Sequence, residues 1–436
     1  MTVGGDGGPS SPEAGPDLDA VRYLLVGYSA DLLVDLDGFL PERSVAVVET
    51  PDVIEARGVR GQIGAVRCLA AVLAAPIQDE ANAVRLVGLV PRPPRIGAVV
   101  PASDYGVVAA ATLAAAWGLP GAGPDAAPVF RDKAELRRTA GGAGIAQPEW
   151  RLVTGPAEVA AFRAGGDGTC VLKPTNRQAS VGVQILPPDA DVFTAWALTA
   201  GAEEQMFRPG DAGGSRYLAE RLLRGPEVSA EVLVRDGRTV FFNTTAKDVQ
   251  PGRHPVETGH VVSGPVTEEV AAALATGMRA LVEATKFGSG VLHGEWIVVD
   301  GVPHLVECAA RLPGDYIVEL IAMAYDWSLL HGFLAVLEGR AADPAPPVAR
   351  GAAIRYLSAA PGTVDAVDGV EQARAVPGVC DVLVRVAPGD TVEPVTSSWK
   401  RPGHVIATAP DAPSAARAAE QARAALTIAT HPGAGR

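Results

Sequence analysis

From Val21 onward, short apolar runs alternate with longer stretches of mixed polarity. VRYLLVGY (21–28), RSVAVVE (43–49), AVRLVGLV (83–90) and IGAVVPA (96–102) read as strands separated by helices. That alternation is expected of a parallel sheet with crossover helices. DYGVVAAATLAAAWGLPG (104–121) reads as a helix stopped by Gly118 and Pro120. A charged helix, RDKAELRRTAGGAGIAQPEW, follows, ends in a Gly cluster before Pro148, and sets a boundary near residue 130. Beyond it the strands take on antiparallel character: TCVLKP, YLAERLL, EVSAEVLVRDG with RTVFFNTT, VLHGEWIVVDG and PHLVECAAR. Asp236-Gly237 and Asp300-Gly301 supply hairpin turns. A proline-rich connector, ADPAPPVARG (342–351), leads to AAIRYLSAAPG, CDVLVRVAPGD, HVIATAP and an Ala-rich helix, a small α+β module. The fold class is thus α/β followed by α+β.

Composition narrows the function classes. With 436 residues, 48% hydrophobic and 5% aromatic, the chain can build two or three packed units rich in Ala, Val and Leu. The formal charge of −13 repels phosphate backbones and anionic lipid, so neither nucleic acid nor membrane is an expected partner. Residues 1–18 are Gly, Pro, Ser and acid, a tail that cannot bury enough apolar surface to order itself. Cys68, Cys170, Cys308 and Cys380 show no CxxC pairing and read as reduced buried thiols, and no secretory leader or span-length apolar run is seen. The expected location is the cytoplasm.

None of the five lysines (Lys133, Lys173, Lys247, Lys286, Lys400) lies in a GxxxxGK[ST] context, and the Gly clusters do not follow a strand and open a helix. What remains is dispersed. Lys173 ends an apolar strand, where it projects a fixed charge into a cleft, and is followed by Pro174 and the loop 175–183. The small residues of that loop, Ser180 and Gly182 among them, let backbone N–H groups close over phosphates. A solvated strand-end lysine is the plain alternative, and Lys133 alone reads as a surface charge. Glu295 and Glu307 lie on adjacent strands of one hairpin among apolar neighbours. A buried carboxylate there is costly unless paired or bound to a cation, and two facing one cleft suit Mg²⁺. Pairing with Arg311 is the structural alternative. Glu220 and Glu227 read either as nucleotide contacts or as ordinary strand-end acids. His254, His293, His304 and His331 share no ligand spacing, and His293 reads as a satisfied core residue.

In order, RDKAELRR, VLKPTNRQASVGVQIL, LAERLLRGPEVSAEVLVRDG, HGEWIVVDG and PHLVECAARLPGD resemble the successive signatures of the ATP-grasp superfamily over residues 130–320. The resemblance implies an ATP-grasp fold with an N-terminal Rossmann-like (pre-ATP-grasp) domain at 19–130. A catalytic domain would span 131–340, with a mobile lid subdomain at 150–225, and the C-terminal module 341–436. It further implies that ATP is held by Lys133, Lys173, Ser180, Gly182, Glu220, Leu222 and Glu227, with Leu222 near the adenine edge and Glu227 on the ribose. Glu295 and Glu307 would carry Mg²⁺, with Mn²⁺ an alternative, and Arg311 would meet the transferring phosphoryl group. One position departs: Ala309 stands where the superfamily commonly has Asn.

Within the superfamily, PVETGHVVSGPV, VAPGDTV and RPGHVI resemble the dipeptide-forming L-amino-acid ligases. This implies catalytic and substrate-binding roles for Glu257, on an incoming ammonium, and for His260, on the acyl phosphate or attacking amine. Arg311 and Gly314 would shape the pocket, and Asp315 suggests a polar or cationic substrate group. The expected partners are small-molecule carboxylates and amines, with a homodimer the assembly to consider. A carboxylase or purine-pathway-like enzyme, and a non-catalytic nucleotide-binding protein, are the rival readings.

Overall fold

The computed structural model describes residues 17–204, 206–207 and 216–432. The tail expected over 1–18 falls outside these except at its end, where Asp17 pairs with Arg43 at 2.8 Å and Leu18 packs on the core. Strands β1 (Tyr23–Val26), β2 (Val45–Glu49), β3 (Leu69–Ala74) and β4 (Ala98–Pro101) form a parallel sheet in the order β3-β2-β1-β4. These strands are Val/Ala/Leu runs buried on both faces, as a helix-covered parallel sheet demands.

Two sequence expectations fail here. AVRLVGLV, expected as a strand, is a 3₁₀ turn (Glu80–Arg85) and a helical turn (Leu86–Leu89), and the third strand is LAAVLA at 69–74. The buried residues Ala83, Leu86 and Val90 recur at helical spacing while Val84, Val87 and Leu89 are exposed, so the apolar content was right and its period was misjudged. The helix Val107–Trp117 matches its expectation, stopped by Gly118 in the left-handed region (φ 70°).

Next come β5 (Trp150–Val153), β6 (Cys170–Pro174), β7 (Gln184–Leu186) and β8 (Tyr217–Glu220), an antiparallel sheet ordered β5-β8-β6-β7. The central sheet begins with β9 (Glu227–Arg235), β10 (Arg238–Val249), β11 (Glu257–Val262), β12 (Gly290–Val299) and β13 (Val302–Ala309). It continues through β14 (Gly351–Tyr356), while β15 (Gly362–Asp368) lies elsewhere, and is completed by β16 (Val379–Val384) and, after β17 (Thr391–Val392), by β18 (Gly403–Ala409). Its order is β13-β12-β9-β10-β11-β14-β18-β16, and β17, β15 and β19 (Thr427–His431) form a separate small sheet. Strands from beyond the proline-rich connector therefore extend the central sheet. The turns at Asp236-Gly237 (φ 49° and 74°) and Asp300-Gly301 (φ 49° and 79°) are left-handed pairs, as a tight hairpin requires.

Cys68, Cys170 and Cys308 are buried free thiols, but Cys380 is exposed, at an outward position of the sheet-edge strand β16. Among the described residues no single helix is long and apolar enough to cross a membrane.

Gly225 lies in the connection between β8 and β9, which carries Leu222 and leads to Glu227. A Cβ there would stand 1.9 Å from the carbonyl oxygen of Val298, and Val298 N–H donates to Pro226 at 2.9 Å. Gly225→Ala should therefore displace this connection and lower unfolding free energy by about 1–3 kcal/mol in a denaturant titration; unchanged stability would show that the approach is easily relieved.

Candidate active site

Alternation along the central sheet collects polar residues on one face. On β9, Glu227, Ser229 and Glu231 share a face. The register places Lys247, Thr245 and Asn243 of β10 opposite them on one side, and Ile297, Glu295 and His293 of β12 on the other. Glu307 of β13 is directly opposite Glu295, and His260 of β11 opposite Lys247.

Each acid of the Glu295/Glu307 pair carries a fixed ammonium. Lys247 Nζ lies 2.6 Å from Glu295 Oε1, and Lys133 Nζ lies 2.6 Å from Glu307 Oε1. His293 bridges two carboxylates, Nδ1 to Glu231 at 3.0 Å and Nε2 to Glu295 at 3.3 Å. Burial opposes a charge on His293, but the two carboxylates prevail and move its pKa up to about 9. Burial likewise disfavours the Glu295 carboxylate, yet Lys247 and His293 hold it well below the usual range. Glu231 is fully buried and takes further hydrogen bonds from Ser229, Asn243 and Thr245. With Oε1 of both acids engaged, Oε2 of each is left for a cation. Two carboxylate oxygens completed by phosphate and water suit Mg²⁺, which rarely uses an all-protein cage. Ala309, opposite His293, contributes no donor.

Lys173 was expected to reach a phosphate and Glu220 to contact the nucleotide. Both side chains are buried, Lys173 Nζ lies 2.8 Å from Glu220 Oε2, and Arg137 Nε lies 2.8 Å from Glu220 Oε1. Glu220 thus serves as counter-ion to two cations, while the connection that follows it carries Leu222. The grouping favours the acid over the lysine. Burial works against Glu220, but Arg137 and Lys173 bring its pKa down to about 2. For Lys173, burial together with Arg137 and Lys133 outweighs Glu220 and lowers its pKa. Lys133, read alone as a surface charge, is buried at the head of the helix Lys133–Gly142, and its Nζ also donates to the carbonyl of Arg177 at 2.7 Å. The loop that it supports has Ala179, Ser180 and Gly182 in the left-handed region (φ 51°, 58° and 75°), and Ser180 Oγ reaches the carbonyl of Pro255 at 3.3 Å. Glu227 is raised to about 7, by burial first and then by Glu295 and Glu257, against the pull of Lys247.

Arg311 donates from Nε and Nη2 to Asp104 Oδ2 at 2.9 and 2.6 Å, which ties it to the N-terminal part of the chain. Glu257 takes Lys247 Nζ on Oε1 at 3.1 Å and Ser398 Oγ on Oε2 at 3.2 Å. His260 is fully buried; its Nε2 lies 3.4 Å from Asp315 Oδ2 and its Nδ1 has no partner among the described residues. Asp315, beside Gly314, is paired with Arg401, whose guanidinium sits 3.6 Å over the Tyr356 ring. Burial disfavours its charge, yet His260 and Arg401 hold it below the usual carboxylate range. The inference of a cationic substrate group from Asp315 is therefore corrected: its charge is already met within the chain. The reading of His260 is corrected too, since its ring is sealed from the cleft in this conformation.

The sequence reading missed Lys247, Glu231, Asn243, Arg137, Asp104, Ser398 and Arg401, and assigned His293 only to the core. Asn243-x-Thr245-x-Lys247 and His293-x-Glu295 carry a detectable signal, polar residues at strand alternation within apolar strands. Arg401 and Asp104 reach the site from distant segments and leave no local trace.

Glu220, ordinarily near 4.5 and held at about 2, contributes stability that is fully present above pH 4.5 and lost as pH falls through 2. Glu220→Gln should cost about 3 kcal/mol at pH 7, with the gap to wild type closing between pH 4.5 and 2 in urea titrations. A gap independent of pH would contradict the pairing.

Residues 167–319 match the ATP-grasp domain, and residues 355–431 match the L-amino acid ligase C-terminal domain 2. A relative of Sinorhizobium fredii, the uncharacterized protein y4rH, is 27% identical over 298 residues, which are 68% of this chain and 60% of that one; the chain therefore spans less than two thirds of the curated relative it matches. The L-amino acid ligase of Bacillus licheniformis superposes with a TM-score of 0.73 at 17% identity, covering 96% of this chain and 100% of that chain. The biotin carboxylase domain of the Hydrogenobacter thermophilus 2-oxoglutarate carboxylase, solved with MgADP, ADP and bicarbonate, superposes at 0.63 with 13% identity, covering 94% and 90%. With both domain matches falling on segments that build the cleft, the chain carries an ATP-grasp domain over residues 167–319 and the L-amino acid ligase C-terminal domain 2 over residues 355–431.

Proposed function

We propose that this protein is an ATP- and Mg²⁺-dependent ligase that joins a small carboxylate to an amine, both most simply amino acids, through an acyl phosphate in the cytoplasm. The observation that carries the reading is the facing pair Glu295 and Glu307, each with a lysine on it, Lys247 and Lys133, and with Glu257 of β11 joined to the pair through the same Lys247. The C-terminal domain match favours this acceptor chemistry over the carboxylase reading, since the segment that it covers supplies Arg401 and Ser398 to Asp315 and Glu257.

In the reaction a substrate carboxylate oxygen attacks the γ-phosphorus, the bond to the β,γ-bridging oxygen breaks and ADP departs. The amine lone pair then attacks the acyl carbon, phosphate leaves with the C–O electrons and the amine loses a proton. Mg²⁺, when bound, would neutralise nucleotide phosphate charge between Glu295 and Glu307. Lys133, held between Glu307 and the carbonyl of Arg177, fixes an ammonium beside the acid pair before any substrate arrives, so the site needs little reorganisation at the moment of transfer. Arg311, braced by Asp104, presents a planar cation suited to phosphoryl oxygens. Glu257, with oxygens anchored by Lys247 and Ser398, keeps lone pairs for a substrate ammonium. The loop 175–183, tethered by Lys133 and by Ser180 to Pro255, is placed to exclude water from a hydrolysable intermediate.

A matrix of amino acids, tested in pairs with ATP and Mg²⁺, should show ADP release that depends on both members and a product one water lighter than their sum. Release with bicarbonate alone would support the carboxylase alternative, and nucleotide binding without release in any combination would support a non-catalytic role. Glu307→Gln should reduce turnover at least roughly a hundredfold with circular dichroism unchanged. Turnover within a fewfold of wild type would remove Glu307 from the cation site.

A further inference from the structure

Each acid of the facing pair already holds an ammonium before any ligand enters. Glu295 and Glu307, the two carboxylates facing each other across β12 and β13, carry formal charges of opposite sign to the two ammoniums bonded to them, Lys247 and Lys133. Both lysines are buried, with side-chain exposures of 3% and 8%, so neither can swing away into solvent. Lys247 is further tied to Glu257 at 3.1 Å, and Lys133 to the carbonyl of Arg177 at 2.7 Å. Among the described residues no group of three or more His, Cys, Asp or Glu is arranged to hold a metal ion.

A divalent cation arriving alone would meet two carboxylates whose other oxygens are already paired, with the two ammoniums close enough to repel it. In the effective dielectric of a protein cleft such a repulsion is comparable in size with the attraction that a two-carboxylate site offers. A nucleoside triphosphate reverses the balance. Its phosphates bring several negative charges, which the same lysines attract, and it supplies the oxygen ligands that the acid pair lacks.

Resting on the proposed nucleotide role of the cleft, we infer that Lys247 and Lys133 act as built-in counter-ions which keep the Glu295/Glu307 pair from taking a free divalent cation and admit one only together with a nucleoside triphosphate. Metal and nucleotide therefore load as a unit, and the acid pair is never a standing metal site. Lys247 is a positioning residue in this account, since it acts through Glu295.

The test uses the full-length protein, Mn²⁺ and the non-hydrolysable β,γ-imido analogue of ATP, with bound Mn²⁺ followed by loss of the free-ion electron paramagnetic resonance signal. Wild type should retain no Mn²⁺ at 100 μM without nucleotide, roughly the range in which a two-carboxylate site stripped of counter-ions would bind, and should retain it once the analogue is added. Lys247→Met should bind Mn²⁺ alone at least roughly tenfold more tightly than wild type, and Lys133→Met should do the same independently, whereas Lys→Arg at either position, keeping the charge, should not. Should either Met variant fold poorly, its melting curve will show it, and the other still decides. Tight binding of Mn²⁺ alone by wild type, no tightening in the Met variants, or no Mn²⁺ uptake with the analogue would each overturn the inference. Because no carboxylate or amine is present, a protein that loads metal only with nucleotide yet joins no pair of substrates would sink the ligase reading and leave this one standing.

Discussion

Arg137 has no exposed surface. Its Nε meets Glu220, while Nη1 and Nη2 donate to the carbonyls of Leu305 and Val306 at 2.9 and 2.8 Å. One guanidinium thereby joins the helix Lys133–Gly142, the end of β8 and the strand that bears Glu307. Losing either partner would strand a buried charge, a far larger penalty than the pair's own net contribution. The relative placement of Lys173, Lys133 and Glu307 follows from that constraint.

The same rule runs across the site. A buried carboxylate keeps its charge beside a cation or a set of donors, as Glu220 does with Arg137 and Lys173, Glu295 with Lys247 and His293, Glu231 with His293 and three polar neighbours, and Asp315 with Arg401 and His260, whereas the burial of Glu227 pushes it up to about 7. The cleft is therefore polar without being strongly charged in itself, a state in which small additions of ligand charge have large effects.

How much of this was legible depended on distance along the chain. The Glu295/Glu307 hairpin could be read because both acids sit in contiguous apolar strands around an Asp-Gly turn. Lys173 with its small-residue loop was visible for the same reason. The strand at 69–74 was lost because an Ala-rich run carries little periodicity, and the segment 83–90 was mistaken for a strand because Val and Leu there mark a helical stripe. The neutralisation of Asp315 was not visible at all. It depends on Arg401, 86 residues downstream, and on Tyr356 beneath it. Chemistry written in adjacent residues was recoverable, while the partners that set its charge came from tertiary structure.

The continuity of the central sheet past the proline-rich connector bears on how such a chain can evolve. Because β14 hydrogen-bonds along β11, the strand that carries Glu257 and His260, the C-terminal domain shares a ladder with the strand that reaches Lys247 and, through it, Glu295. A gene split at the connector would leave β11 as a bare edge, a template for mispairing. Recombination that exchanged this domain between relatives would have to preserve strand register as well as surface fit, so β11 and the C-terminal domain should be inherited together.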